Sequence, residues 1–334
     1  FFDGCVSMDN RRNQTVNNNL KSRIKAAIIG FIVGDALGVP VEFTTREERK
    51  LRPVCGMQSG GTHEQIAGTW SDDTSMTLCM MKSIISKGID YTDQMERFAD
   101  WLWNATNTAH DEVFDVGGST KMSIFNFVKG RSALECGEQS ENCCGNGSLM
   151  RMLPIALYII GKYKNTKLDE QAAMIIHSAS KMTHAHPKCQ MACGIYCDIV
   201  FHIFCGNNLS NSIKQGIEDA LTYYQQQDNF VNVISDFEKL RNIDCLREEQ
   251  IKSSGYVVHT LEASLWCLIN TTTYSECVLN AVNLGDDTDT VAAIAGGLAG
   301  LWYGYDEIPG IWISTLAKNE EIQKLTDKFF EVCF

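Results

Sequence analysis

Proline is scarce in this chain, with 5 among 334 residues. Because proline interrupts helices and punctuates turns, its rarity favours a helical over a strand-and-turn architecture. Basic charge is also short: 29 Lys and Arg stand against 41 Asp and Glu, a formal net charge of −12. That balance argues against a nucleic-acid backbone as partner, since Lys and Arg drive such binding. It leaves room for a phosphorylated ligand held by metals and backbone N–H groups. The longest early apolar run, 26–33, falls well short of the ~20 residues a spanning helix needs. With no secretory leader visible either, neither a membrane span nor export is expected. Strand-like alternation is sustained nowhere, and no pair of C-x-x-C elements offers a zinc knuckle.

Cysteine, by contrast, is abundant, at 14. The chain is too long to need staples, Cys143 and Cys144 are adjacent, and Cys189, Cys193 and Cys197 share one helical face. This pattern reads as reduced core thiols in a cytoplasmic protein, with a soft-metal site near His186 as the lesser alternative. Residues 1–19 are polar and Asn-rich and read as a flexible arm; 20–334 follow as one domain, long enough for a sizeable core. A monomer is expected.

The chemistry concentrates in Leu284-Gly285-Asp286-Asp287-Thr288-Asp289-Thr290, which runs into an apolar, Ala- and Gly-rich stretch to Tyr303. An all-round apolar run is a buried helix whose small residues admit close neighbours, so the acids stand at its N-terminal turn. The helix dipole contributes about 0.3–1 kcal/mol per charge, whereas two carboxylates 4 Å apart repel by about 4 kcal/mol at an effective dielectric near 20. A divalent cation would resolve that conflict. Ser71-Asp72-Asp73-Thr74 repeats the device ahead of the apolar helix that starts at Met76. Either stretch alone could simply cap a helix; together they point to a shared two-metal site.

These two stretches resemble the metal motifs of the ADP-ribosylglycohydrolase family, in its dinitrogenase-reductase-activating and arginine-directed branch, and further motifs follow in the family's order. Gly34-Asp35 through Glu42 is similar to G-D-x-x-G-x-P-x-E, at the end of a helix read over 23–33. Asp115-Val116-Gly117-Gly118-Ser119-Thr120 resembles D-I-G-x-T-T, a loop typical of the arginine-directed side. Gly145-Asn146-Gly147-Ser148-Leu149-Met150-Arg151 matches G-N-G-S-L-M-R at the start of a helix read over 149–160. Ser180 to His184 resembles S-x-x-T-H, and Gly255-Tyr256-Val257 resembles the start of G-Y-V-x-x-T-L-E-A.

The resemblance implies an all-α fold, a single orthogonal bundle of a dozen or so helices. It implies two Mg2+ ions, with Mn2+ as the alternative, held by Ser71, Asp72, Asp73, Asp287, Asp289 and Thr290. Ser71 stands where the family usually has Thr; both offer a hydroxyl. Asp115 and Glu42 are the expected proton-handling groups. Asp35, Gly117, Gly118, Asn146, Gly147, Ser148, His184 and Tyr256 are expected to meet the substrate, an ADP-ribosylated protein or ADP-ribose. The implied reaction is hydrolysis of the N-glycosidic bond of ADP-ribosylated arginine. Two other classes stay open: a non-catalytic ADP-ribose-binding or crystallin-like relative, and a hydrolase of another ADP-ribosyl linkage or small ADP-ribosyl compound. His110-Asp111 lacks the spaced histidines of an HD-type phosphohydrolase and reads as surface. Trp101 and Trp103 read as core on a helix over 91–107, and 206–251 as connecting helices with a surface insertion.

Overall fold

The computed structural model describes residues 3–334, with side chains from Asn19 onward. It contains fourteen α-helices, and among the described residues only isolated β-bridges, no strand. The first helix, α1 (Asp3–Gly38), and the twelfth, α12 (Thr288–Tyr303), form the central pair. Both carry glycine at four-residue spacing, and the two seams face each other. A Cβ on Gly30 would lie 2.5 Å from the Gly296 carbonyl oxygen, one on Gly34 2.0 Å from that of Ala292, and one on Gly38 2.3 Å from Asp289 Cα. Each glycine inside a helix costs about 1 kcal/mol relative to alanine; here it allows backbone-to-backbone contact that no other residue permits.

α1 does not end at Val33 as expected but runs on to Gly38, because Gly34 and Gly38 are packing surfaces rather than breakers. The stretch Asn19–Val41 is long and apolar enough to cross a membrane by length and composition, which the short run 26–33 did not reveal. In this fold 94% of its most apolar window is buried. Its apolar character is that of a core helix wrapped by protein. At the other end, the backbone is helical from Asp3; extending a formed helix adds one hydrogen bond per residue fixed. Residues 1 and 2 lie outside the described residues.

The remaining elements wrap this pair. After a 3-10 turn (Val39–Val41) come α2 (Arg46–Leu51), α3 (Asp72–Lys87), α4 (Tyr91–Asn104) and α5 (Gly118–Val128). Trp101 of α4 is core, but Trp103 is 47% exposed and rests edge-on against Phe125. Two positions apart on a helix is about 200° of rotation, so the two rings cannot share a face. The helix expected over 149–160 is broken: a 3-10 turn (Leu149–Arg151) precedes α6 (Leu153–Tyr163), where Pro154 suits a first turn that needs no N–H donor. Next come α7 (Glu170–Lys181), α8 (Pro187–Cys205) and α9 (Leu209–Gln225), and a 3-10 run over Ile234–Cys245 crosses the segment read as an insertion. That run buries Phe237, Leu240 and Ile243. Ahead of α12 stand α10 (Val257–Ile269) and α11 (Tyr274–Asn283), and after it α13 (Gly310–Thr315) and α14 (Asn319–Cys333).

Gly34→Ala is expected to destabilise the fold by on the order of 3 kcal/mol, because the methyl must push two backbones apart. Gly310→Ala, where an added Cβ meets nothing within 4 Å, should change little. Urea unfolding of the two variants beside the parent checks the comparison.

Candidate active site

The C-terminal end of α1 brings Asp35 against the N-terminus of α3. The fully buried Asp35 carboxylate accepts the Ser71 N–H at 2.9 Å, the Thr74 N–H at 3.1 Å and the Thr74 hydroxyl at 2.5 Å. Its oxygens, expected at the substrate, shape the first turn of α3. Ser71 is the N-cap of α3; its hydroxyl accepts from Asp73 N–H and donates to Asp73 Oδ2, both at 3.3 Å. Thr290 on α12 donates to the same Asp73 oxygen at 3.3 Å, so the two acidic stretches meet there.

Asp287 caps α12 by position, not by a side-chain bond. Its N–H bonds Ser253 O at 3.0 Å, and its Oδ2 accepts the Asn146 amide at 2.8 Å. Asp289 accepts the Thr290 N–H at 2.9 Å. Asp286, between the glycine and these acids, is exposed and takes a left-handed φ of 67°; it turns the chain so that its successors face inward. Ligand oxygens of Glu42, Asp287 and Asp289 all lie within 4.8 Å of one another.

Seven carboxyls converge, Asp35, Glu42, Asp72, Asp73, Asp115, Asp287 and Asp289, and burial pushes every one of them above its ordinary pKa. For Glu42, burial and then the charges of Asp115, Asp287, Asp72 and Asp35 raise it to about 10. Among the described residues no Lys or Arg pairs with any of them; the one basic partner is His63, whose Nε2 lies 2.5 Å from Glu42 Oε2. Asp73 Oδ1 and Asp287 Oδ1 are buried and have no hydrogen-bond partner. Unpaired buried carboxylate oxygens, all hard donors, at the N-termini of two helices, fit a divalent cation of the Mg2+ or Mn2+ kind.

Around this centre lie the loops. Asp115 leads to Gly117 and Gly118, both exposed, at the N-terminus of α5. Asn146 Nδ2 reaches both Asp287 and Thr260 Oγ1, the latter at 2.9 Å. Gly147 has no room for a side chain: a Cβ would sit 2.8 Å from His184 Cε1 and 2.9 Å from Thr120 Oγ1. His184 is buried beneath this loop, bonded to Thr183 Oγ1 at 2.8 Å, and burial beside Arg151 pushes its pKa down to about 3, leaving it neutral. Ser148, expected at the substrate, turns its hydroxyl inward to Ser180 at 2.9 Å and is fully buried. Tyr256 is half-buried, with the Lys188 ammonium 5.4 Å from its ring centre, and the Gly145–Tyr256 bridge ties the two loops together. His110 is exposed and bonds Thr69, while Asp111 pairs with Lys318; neither joins the centre.

A family model described as ADP-ribosylglycohydrolase matches residues 16–334. The chain belongs to the ADP-ribosylglycohydrolase family. Its relatives include the ADP-ribosylarginine hydrolase Tri1 of Serratia proteamaculans, 30% identical over 92% of this chain and 79% of that protein. The ADP-ribosyl-[dinitrogen reductase] glycohydrolase of Rhodospirillum rubrum is 31% identical over 91% of this chain and 93% of its own length. A solved structure titled ADP-ribosylglycohydrolase-related protein complex superposes with a TM-score of 0.76 at 26% identity, covering 95% of this chain and 100% of that one. As a member of this family the protein is a glycosidic hydrolase that acts on ADP-ribosyl linkages, and the all-α fold is the family's.

In this ADP-ribosylglycohydrolase Thr74, inside the first acidic stretch, serves Asp35, while His63 was not expected at the site at all. His63 touches Glu42, and its ring lies 5.1 Å from that of Phe114, beside Asp115. No local pattern marks it; the signal available was only its place in a Gly-rich loop, Gly60-Gly61-Thr62-His63.

The raised carboxyls carry a stability prediction. A folded-state pKa above the unfolded value means stability that is full at low pH and lost as pH rises through the folded value. Glu42, at about 10, still titrates above neutrality, and burial raises Asp72, Asp73 and Asp289 well above their ordinary value in the same direction. The buried His177 and His184 act oppositely, but only below their ordinary value of 6.5. Metal-free protein should therefore melt at a lower temperature at pH 8.5 than at pH 7, and millimolar Mg2+ should remove most of that drop. A flat or rising metal-free profile would contradict the placement of these acids.

Proposed function

We propose that this ADP-ribosylglycohydrolase cleaves the N-glycosidic bond of ADP-ribosylated arginine in a protein, releasing ADP-ribose, with two divalent cations, Mg2+ or alternatively Mn2+. The observation that carries the reading is the buried, uncompensated acid cluster opening beside the Asp115 loop. Relatives named as ADP-ribosylarginine hydrolases support the linkage. The free thiols support a reducing, cytoplasmic setting, and a net charge of −12 supports a substrate other than a nucleic-acid backbone.

Ser71, Asp72, Asp73, Asp287, Asp289 and Thr290 would hold the cations, with Glu42 within reach of Asp287 and Asp289. Bound there, such ions orient ribose hydroxyls and make water acidic enough to lose a proton near neutral pH. The chain's own groups do the rest. Asn146 holds Asp287 in place from the opposite loop. The exposed backbone of Gly117 and Gly118, at the head of α5, can approach the sugar and its anionic neighbours. In the net reaction the bond from the ribose C1 to the guanidine nitrogen breaks, and the water oxygen bonds C1. The water's proton reaches the departing nitrogen through a carboxyl, Asp115 or Glu42. Asp115 also suits a guanidine by charge and by hydrogen-bond donors, which a serine ether lacks.

Chelation should abolish turnover, and added Mg2+ should restore it. Asp287→Asn should cut turnover by roughly a hundredfold or more while the protein stays folded, a loss of about 3 kcal/mol in transition-state binding. Free ADP-ribose released from a modified protein, measured with and without EDTA, checks both. Full activity after metal removal would sink the mechanism.

On linkage, arginine-modified peptide should be cleaved at least tenfold faster than serine-modified peptide, and Asp115→Asn should erase most of the arginine activity. A side-by-side release assay decides it: preference for serine, or an Asp115→Asn variant as active as the parent, overturns the assignment.

A further inference from the structure

A second group of ligand-type side chains lies where α8 packs on α9, and none of its residues belongs to the acid cluster. Asp198 and His202 are four positions apart and share one face of α8; Asp219 faces them from α9. One ligand atom from each of the three lies within 4.8 Å of the others, and His202 Nε2 is 3.0 Å from Asp219 Oδ2. Asp219 has its other oxygen held by the Gln215 amide at 2.7 Å.

Asp198 makes this more than a surface ion pair. It is 1% exposed, and one of its oxygens accepts the Leu168 N–H at 2.9 Å. The other, Oδ2, is buried with no partner. Burial, with the charge of Asp219 adding to it, raises this carboxyl to about 7. An unsatisfied buried acceptor is costly and asks for a counter-charge. The nearby Lys214 is engaged elsewhere, with Asp244 at 2.6 Å.

We propose that Asp198, His202 and Asp219 form a second metal site, for a divalent transition ion of the zinc class, that clamps α8 to α9. Two carboxylates match the ion's charge, and an imidazole selects zinc-like ions over Mg2+. Ligands at about 2.1 Å in a tetrahedron lie about 3.4 Å apart, so small side-chain adjustments within the observed cluster suffice. A fourth position remains for water, and entry is open: His202 lines a surface cavity of about 500 Å3 beside Asn208 and Ser212. The cluster of Glu141, Cys144 and His186 offers similar ligand types, but the Lys188 ammonium already sits on Glu141 and neutralises it.

The test uses the full chain with Mg2+ saturating the acidic centre, and Zn2+ alone as probe. Equilibrium dialysis should give the parent about one more equivalent of bound Zn2+ than His202→Asn or Asp198→Asn. The Zn2+-dependent rise in melting temperature should shrink in both variants. Asp198→Asn keeps an oxygen for the Leu168 N–H, so it tests the site even if His202→Asn folds poorly. Neither residue touches the catalytic acids, so turnover with Mg2+ should stay within about twofold of the parent. Equal Zn2+ stoichiometry and equal thermal response in parent and Asp198→Asn would overturn the proposal.

Discussion

The glycine seam between α1 and α12 is the constraint from which the rest of the molecule follows. Direct backbone contact at Gly34 and Gly38 sets Asp289 against the end of α1, and Thr288 Oγ1 then bonds the Gly38 carbonyl at 2.8 Å. The same end of α1 carries Asp35, which gathers the first turn of α3, and the 3-10 turn after it delivers Glu42. A wider crossing would separate the acidic stretches of α3 and α12, and the single oxygen of Asp73 that Ser71 and Thr290 now share could not serve both. Packing of apolar helices therefore sets the distances among charged groups.

That arrangement is electrostatically unfavourable in itself. Two helix N-termini and several backbone and hydroxyl donors soften the repulsion, but these effects are of order 1 kcal/mol each, and burial works against every ionised form. The cluster persists because it is anchored by a large apolar core rather than by its own interactions. Function and stability are opposed here, and a cation of the right kind would reconcile them.

Several residues that resemble substrate contacts prove to have structural duties in this fold. Asp35 shapes α3, Asn146 steadies Asp287, His184 fills the space under Gly147, and the Ser148 hydroxyl bonds Ser180. They fix the loops whose backbones remain free. Asp115, Gly117, Gly118, Gly147, Tyr256 and Asp287 of the expected set keep a partly open face.

How much was readable in advance follows from the range of the forces involved. Helix periodicity, capping and the scarcity of proline are local, so the all-α class and the two acid-then-helix devices were visible in the chain. The Asp115 and Gly145 loops were visible as motifs for the same reason. The extent of α1 was not, because a glycine reads as a breaker until its partner helix is known. Nor were the meeting of Glu42 with His63, 21 residues apart, of Asp35 with Ser71, 36 apart, or of Asn146 with Asp287, 141 apart. Sequence by itself determined the helical class and where the two acid-then-helix stretches lie along the chain. Which residues face a ligand, and which are consumed in holding the others, was decided by tertiary packing, because a hydrogen bond spent inside the fold leaves no trace in composition or spacing.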